Sequence, residues 1–151
     1  IDDNGVIVWE SNTVVRYLAA RYGAGKLWPI DPAHRSEADR WMDWQQTTIS
    51  PDMFPVFWGL VRTPPEKRDT AAIKAAGERL SASWLLLERH LAGRPFVAGA
   101  DFTMGDIPVG CAYSRYTKLD VAKPALTQCD AWHRRLQERP GFRQHVNTPL
   151  S

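Results

Sequence analysis

The sequence predicts a mainly α protein in which an all-helical bundle follows a short β-hairpin and one helix. From residue 33 onward, apolar residues recur at spacings of three and four, which is typical of amphipathic helices. By contrast, the run from Val6 to Trp9 is β-branched and aromatic and follows a turn signal, as in a strand of a hairpin. A stretch with Gly and Pro separates the two parts. We therefore divide the chain into residues 1–24, a linker at 25–32 and an all-α region at 33–151.

The first part reads as a hairpin followed by a helix. Asp3-Asn4-Gly5 predicts the turn, because Asn and Gly tolerate positive φ angles. We expect Ser11 or Asn12 to cap the next helix and Gly23-Ala24-Gly25 to end it, because Gly adopts the left-handed conformation freely. Helical spacing is shown by Val14, Val15, Leu18, Ala19 and Tyr22. A hairpin and one helix bury too little apolar surface to fold alone, so they resemble the end of a larger domain.

The second part contains several helices. A long one should run from about Ala33 to Arg62, and Pro51 and Pro55 should bend or interrupt it. Further helices are predicted at about 103–118 and from Pro124 to Pro140. The clearest helix between these carries a core-facing stripe that consists of Ile73, Ala76, Leu80, Trp84, Leu87 and Leu91.

Composition excludes several classes of function. The 19 basic and 17 acidic residues are scattered, so the net charge of +2 does not favour nucleic-acid binding. No apolar run approaches the roughly 20 residues of a membrane span. The four His and two Cys lack the spacing of a metal site, so we expect no metal. Two cysteines without disulfide or redox spacing favour a reducing, cytoplasmic setting.

The segment Thr103-Met104-Gly105-Asp106 predicts a capping box. Thr103 can accept a bond from the Asp106 backbone N–H, and the Asp106 carboxylate can accept one from the Thr103 N–H. A carboxylate in the first turn also favours the helix dipole. We interpret this pair as a structural cap without chemistry.

Glu10 and Ser11 stand where a strand gives way to a helix. The N–H groups of a helix N-terminus and a serine hydroxyl can bind a carboxylate, while Glu10 can receive an ammonium group. Together they suit the α-amino acid end of a ligand. The alternative from the residues alone is that Ser11 is a plain N-cap and Glu10 only favours the dipole.

Four segments together resemble the cytosolic glutathione S-transferases, in particular bacterial members. The segments follow one another in the order found in the family and cover essentially the whole chain. The segment from Val8 to Leu18 resembles the family's glutamate–serine segment. The others are Leu27 to Gln45, similar to the linker and first long helix; Arg94 to Ile107, similar to the approach to the buried helix and its capping box; and Arg139 to Phe142, similar to the usual ending.

This resemblance implies a thioredoxin-like glutathione-binding domain, of which residues 1–24 are the C-terminal fragment, followed by an all-helical domain. It implies that Glu10 and Ser11 bind the γ-glutamyl end of glutathione as co-substrate, with no metal. It also implies a thiol-activating Tyr, Ser or Cys outside these 151 residues. The hydrophobic substrate pocket is expected to include Trp44, Thr48 and Tyr113.

The implied function is a cytoplasmic detoxification enzyme in which the thiolate of glutathione attacks a hydrophobic electrophile or reduces a disulfide. A homodimer is expected, using the helix after Ser11 and the first long helix, with no nucleic acid or membrane as partner. If no further domain covered it, part of the apolar face of residues 11–22 should be exposed. The alternative is a non-catalytic interaction module or remnant. Retention of Glu10 and Ser11 favours the enzyme, because a scaffold has no need of a γ-glutamyl site.

Overall fold

The computed structural model describes residues 1–150 and confirms the predicted fold class, a mainly helical protein with a hairpin and a helix at its start. The strands are β1 (Asp2–Asp3) and β2 (Val6–Ile7). The helices are α1 (Ser11–Tyr22), α2 (Pro32–Trp44), α3 (Ser50–Phe57), α4 (Thr70–His90), α5 (Asp106–Lys118), α6 (Thr127–Gln137) and α7 (Pro140–His145).

The hairpin turns at the predicted position. Asn4 and Gly5 have φ angles of 53° and 88°, so the two residues that tolerate positive φ occupy the turn. The antiparallel strands pair Asp2 with Ile7 and Asp3 with Val6. The Asp3 carboxylate then accepts hydrogen bonds from the hydroxyl groups of two tyrosines of α1, Tyr17 and Tyr22. These bonds hold the hairpin against α1.

The structure corrects the predicted N-cap of α1, whereas the helix does end at the predicted glycine segment, in which Gly25 has a left-handed φ of 78°. Glu10, not Ser11 or Asn12, occupies the N-cap position, and no side chain caps the helix there. Gly23 follows the last helical residue but has a φ of −127°, so it is not left-handed. A Cβ at Gly23 would lie 2.9 Å from the Leu27 Cβ, so this position requires glycine for the close approach of the linker.

The predicted long helix is continuous but contains two wider turns. A π-helical segment at Gln45–Ile49 joins α2 to α3, and a second at Trp58–Arg62 ends the helix before Thr63. Pro51 lies in the first turn of α3, directly after the first π-helical segment. Proline removes a backbone donor and crowds the previous turn, and π-turns accommodate such mismatches without breaking the helix.

The main core confirms the predicted stripe of α4. All six stripe residues are buried, and all but Ile73 pack with inward residues of α3, α5 and α6 in the main core. Trp84 is at its centre and contacts the rings of Trp44, Tyr113 and Tyr116. The prediction that Pro124 opens a helix is wrong, because α6 begins at Thr127 and Pro124 belongs to the connection before it.

A second, smaller apolar cluster joins α1 to the bundle. It consists of Ala19 from α1, Ala38 and Met42 from α2, and Ala98 and Met104 from the connection before α5. Short side chains here let the helices approach closely. Within residues 1–150, no helix combines the length and apolar composition of a membrane-spanning segment.

Candidate functional site

The candidate site is the N-terminus of α1, where the side chains of Glu10 and Ser11 are both exposed. The first bond of the helix runs from the Val14 N–H to the Glu10 carbonyl, at 2.8 Å. The N–H groups of residues 11–13 precede that bond, so the helix itself offers them no acceptor. With the positive end of the helix dipole, they form a surface suited to a carboxylate.

Glu10 has an unusual backbone conformation, with φ at 67° and ψ at 122°. A non-glycine residue in such a region costs about 1–3 kcal/mol, which the surrounding structure must supply. Val8, two residues earlier, is held by reciprocal bonds with the amino and carbonyl groups of Ile1, at 2.8 and 3.0 Å. This sharp bend ends the extended segment at the N-terminus of α1, where Glu10 is the N-cap residue and its side chain is exposed.

Two polar side chains dock α1 on α2. Asn12 is buried and donates to the Met42 carbonyl at 2.9 Å. One turn later, Arg16 donates from its Nε to Asp39 at 2.7 Å and pairs with Asp43 through its terminal nitrogen. The anchoring role of Asn12 could not be predicted from the sequence. An Asn after Ser at a strand end is also a cap signal, and the partner of Asn12, Met42, lies 30 residues away.

The three predicted pocket residues differ in burial, and two of them, Trp44 and Tyr113, contact the same core residue, Trp84. Trp44 is half-buried and packs edge-on against Trp41 and Trp84, with ring centroids 5.0 and 5.7 Å apart. Thr48 is half-buried in the first π-helical segment. Tyr113 is only 1% exposed, and its hydroxyl donates to Asp130 at 2.7 Å. Tyr113 is therefore a core residue here and offers no surface to a ligand.

A cavity of about 710 Å³ lies elsewhere in the bundle, between Leu60, the first half of α4 and residues 120–124. Its wall is mainly apolar, and several of the polar groups in it already have partners within the protein. Arg68 donates to the Thr63 and Leu60 carbonyls, and Ser81 bonds the Tyr116 hydroxyl and the Ala122 carbonyl. None of the predicted site residues lines this cavity.

Asp106 forms the most completely satisfied polar centre of the described chain. The Thr103 N–H donates to its Oδ2 at 2.9 Å, which is the return bond of a capping box. The Thr103 hydroxyl, however, lies 3.4 Å from the same oxygen and donates to it, and the Asp106 N–H donates to the Thr103 carbonyl. The other oxygen, Oδ1, accepts from the Val97 N–H at 3.0 Å and from the Trp132 Nε1 at 2.8 Å.

This centre is closed to ligands. Thr103 and Asp106 are fully buried. Burial raises the pKa of the Asp106 carboxyl above its ordinary value, while the bonds from Thr103, Val97 and Trp132 oppose that shift. All donors point inward at one carboxylate, so its role is to join the 97–103 connection, α5 and α6. Among residues 1–150, no group of three or more His, Cys, Asp or Glu side chains is arranged to hold a metal ion.

Comparisons with known proteins identify the family of the chain. Residues 70–147 match the family model described as "Glutathione S-transferase, C-terminal domain". Over 99% of its length, the chain is 40% identical to "Glutathione S-transferase GstB" of Escherichia coli strain K12, of which it covers 72%. It is also 40% identical, with a TM-score of 0.94, to a theta class glutathione S-transferase from Xanthomonas axonopodis pv. citri with glutathione bound, covering 99% of this chain and 78% of that one. A possible glutathione S-transferase from Rhodopseudomonas palustris is 28% identical, with a TM-score of 0.79, over 97% of this chain and 65% of that one. The chain belongs to the glutathione S-transferase family.

Proposed function

We propose that this chain supplies the glutathione anchor and part of the substrate wall of a glutathione transferase. The observation that carries the proposal is the exposed Glu10–Ser11 pair at the open N-terminus of α1, in a chain of this family. In the proposed reaction, the thiolate of glutathione attacks a hydrophobic electrophile or reduces a disulfide. Glutathione bound in the Xanthomonas relative supports glutathione as the co-substrate.

The γ-glutamyl end of glutathione carries one carboxylate and one ammonium group. The carboxylate accepts from the open N–H groups of the first turn of α1 and from the Ser11 hydroxyl, where the helix dipole also favours an anion. The Glu10 carboxylate pairs with the ammonium group. The bend at Glu10, with its φ of 67°, supports this assignment, because Glu10 is the N-cap residue of α1 and its side chain is exposed beside Ser11.

Activation of the thiol requires a group that lowers its pKa, since the thiolate is the nucleophile. The buried hydroxyl of Tyr113 does not suit this role, because burial and its bond to Asp130 raise its pKa. Burial likewise raises the pKa of the Cys111 and Cys129 thiols. As the resemblance to the family implies, we assign activation to a Ser, Tyr or Cys outside these 151 residues.

For the substrate wall we retain Trp44 and Thr48, which follow the α2 contact of Asn12 along the same long helix. We also propose a homodimer in which a second copy covers exposed aromatic surface of that helix. Phe54 and Trp58 are 64% and 53% exposed and stack with ring centroids 5.6 Å apart. Light scattering of the intact protein should give the mass of a dimer, and a clean monomer would contradict this part of the proposal.

The decisive test is Ser11→Ala in the intact protein. Removing a hydrogen bond to a charged group costs about 1.5 kcal/mol, so the dissociation constant for glutathione should rise roughly tenfold. Thr13→Ala removes another exposed hydroxyl from the same turn and serves as the control. An unchanged affinity in Ser11→Ala would exclude the assigned site.

Retention on immobilised glutathione distinguishes the enzyme from a non-catalytic interaction module. The proposed anchor predicts that the intact protein is retained and is eluted by free glutathione. A module that had lost the glutathione site would pass through the column. The second result would favour the interaction module and exclude the transferase.

A further inference from the structure

Asn12 is a buried polar residue that the proposed chemistry does not use. It directly follows Ser11 in the chain, but its side chain is only 5% exposed and points away from the open end of α1. Its Nδ2 donates to the Met42 carbonyl of α2 at 2.9 Å. The oxygens of the Gln45 and Gln46 side chains lie 3.5 and 3.4 Å from the same nitrogen.

The partner carbonyl lies beside the first π-helical segment. Met42 is fully buried, and its carbonyl also accepts from the Gln45 N–H. The next carbonyl, that of Asp43, accepts from the Thr47 hydroxyl at 2.9 Å. A change from α to π geometry shifts the backbone bonds by one residue, and side chains commonly complete the bonding of carbonyls at such a junction. Asn12 supplies that bond from a different helix.

From this geometry we infer that Asn12 is a positioning residue for glutathione binding, holding the first turn of α1 against the π-helical junction of the long helix. The inference rests on the proposed function, because it concerns the same site. The first turn of a helix lacks intrahelical bonds for its N–H groups and frays most easily. Without the Asn12 bond, the three N–H groups that face the ligand would lose their fixed direction.

Arg16 serves as the control that separates positioning of the first turn of α1 from general docking of α1 on α2. It joins the same two helices through Asp39 and Asp43, but one turn further from the open end. Loss of either anchor should loosen α1 on α2. Only loss of the Asn12 anchor should disturb the turn that meets the ligand.

The experiment compares Asn12→Asp, Asn12→Leu and Arg16→Gln in the intact protein. Both Asn12 variants keep the approximate size of the side chain and remove its N–H donor. We expect them to raise the dissociation constant for glutathione, measured by calorimetry, roughly tenfold. The value of kcat at saturating glutathione should stay within about twofold, because a bound ligand restores the turn. Arg16→Gln should change glutathione affinity by less than about twofold at a similar loss of urea stability.

Two results overturn the inference. One is an unchanged glutathione affinity in both Asn12 variants. The other is an equal loss of affinity in Arg16→Gln at matched stability, which would reduce Asn12 to one of two general docking contacts. The Ser11→Ala variant distinguishes failure of this inference from failure of the proposed function. If Ser11→Ala weakens glutathione binding and the Asn12 variants do not, only this inference falls; if neither weakens it, the proposed function falls as well.

Discussion

The N-termini of α1 and α5 each combine a hydroxyl side chain with a carboxylate, but these groups are exposed at α1 and buried at α5. At α5, Thr103 and Asp106 are buried, and the carboxylate accepts hydrogen bonds from Thr103, Val97 and Trp132. At α1, Glu10 and Ser11 are exposed, and no side chain caps the helix. One helix end is closed by the protein itself, and the other is left open.

The difference shows that a hydroxyl and a carboxylate at a helix start do not define a function by themselves. What decides is whether the surrounding chain supplies the missing partners. Around Asp106 the backbone of residue 97 and the indole of Trp132 supply them, so the centre contributes to folding. Around Glu10 the structure instead maintains a strained bend, with φ at 67°, and leaves the helix N–H groups open.

The closed end should respond most strongly to substitution. In Asp106→Asn, an amide nitrogen would face N–H donors such as Val97 and Trp132, and each buried donor left unpaired costs about 1–3 kcal/mol. We expect the free energy of unfolding, measured by urea denaturation, to fall by about 3 kcal/mol. The exposed Asp101 lies in the preceding connection, and Asp101→Asn should change stability by less than about 0.5 kcal/mol. Equal stability of the two variants would contradict the structural role of Asp106.

At the N-terminus of α1, glycine should be more stabilising than alanine, which is the reverse of their usual order in a helix. Because Glu10 has a positive φ, Glu10→Gly should be more stable than Glu10→Ala by about 1 kcal/mol in thermal or urea unfolding. At an ordinary helix position, glycine is instead less stable than alanine by roughly the same amount. The pair of variants removes the same carboxylate, so their difference isolates the backbone strain. A less stable glycine variant would show that the bend is not strained.

The smallest expected effect is a change in the free energy of unfolding at acidic pH. Hydrogen bonds from Tyr22 and then Tyr17 lower the pKa of Asp3 below 3.8, so its contribution to stability is present above that value and is lost as the pH falls through the folded-state pKa. Burial raises the pKa of Asp106, so its charged form carries a penalty that is relieved as the pH falls.

These directions predict opposite changes in urea denaturation between about pH 6 and pH 3. The stability advantage of the natural protein over Asp3→Asn should shrink as the pH falls, while its advantage over Asp106→Asn should grow. Parallel curves for the two variants would contradict both assignments.

Periodicity was sufficient to predict the core of the bundle. The stripe from Ile73 to Leu91 depends only on spacing within one helix, and the structure confirms it. The hairpin turn followed equally from local chemistry, since Asn4 and Gly5 both adopt positive φ. Predictions of this kind succeed because the physical cause lies within a few residues of the pattern.

The remaining features depend on partners that are distant in the sequence. Asn12 was one of two candidates for the helix cap, but its bond reaches Met42, 30 residues away. The capping box predicted one bond of Asp106 correctly and could not reveal Trp132, which is 26 residues away. Tyr113 was assigned to a pocket, but its ring packs with Trp84 and Trp132 inside the core. No local signal separates a buried aromatic residue from one that lines a ligand site.

The π-helical segment at Gln45–Ile49 gives the long helix two directions of packing. Each residue of an α-helix advances the side chains by about 100°, so one extra residue in a turn changes which face meets a given neighbour. Ala38 and Met42 before the segment pack toward α1, whereas Met53 and Val56 after it belong to the main core with α4. Deleting a single residue from the segment would rotate the following half of the helix by about 100° and withdraw both residues from the core. We therefore expect a change of length at this point to disrupt the core, although the segment lies in the middle of an uninterrupted helix.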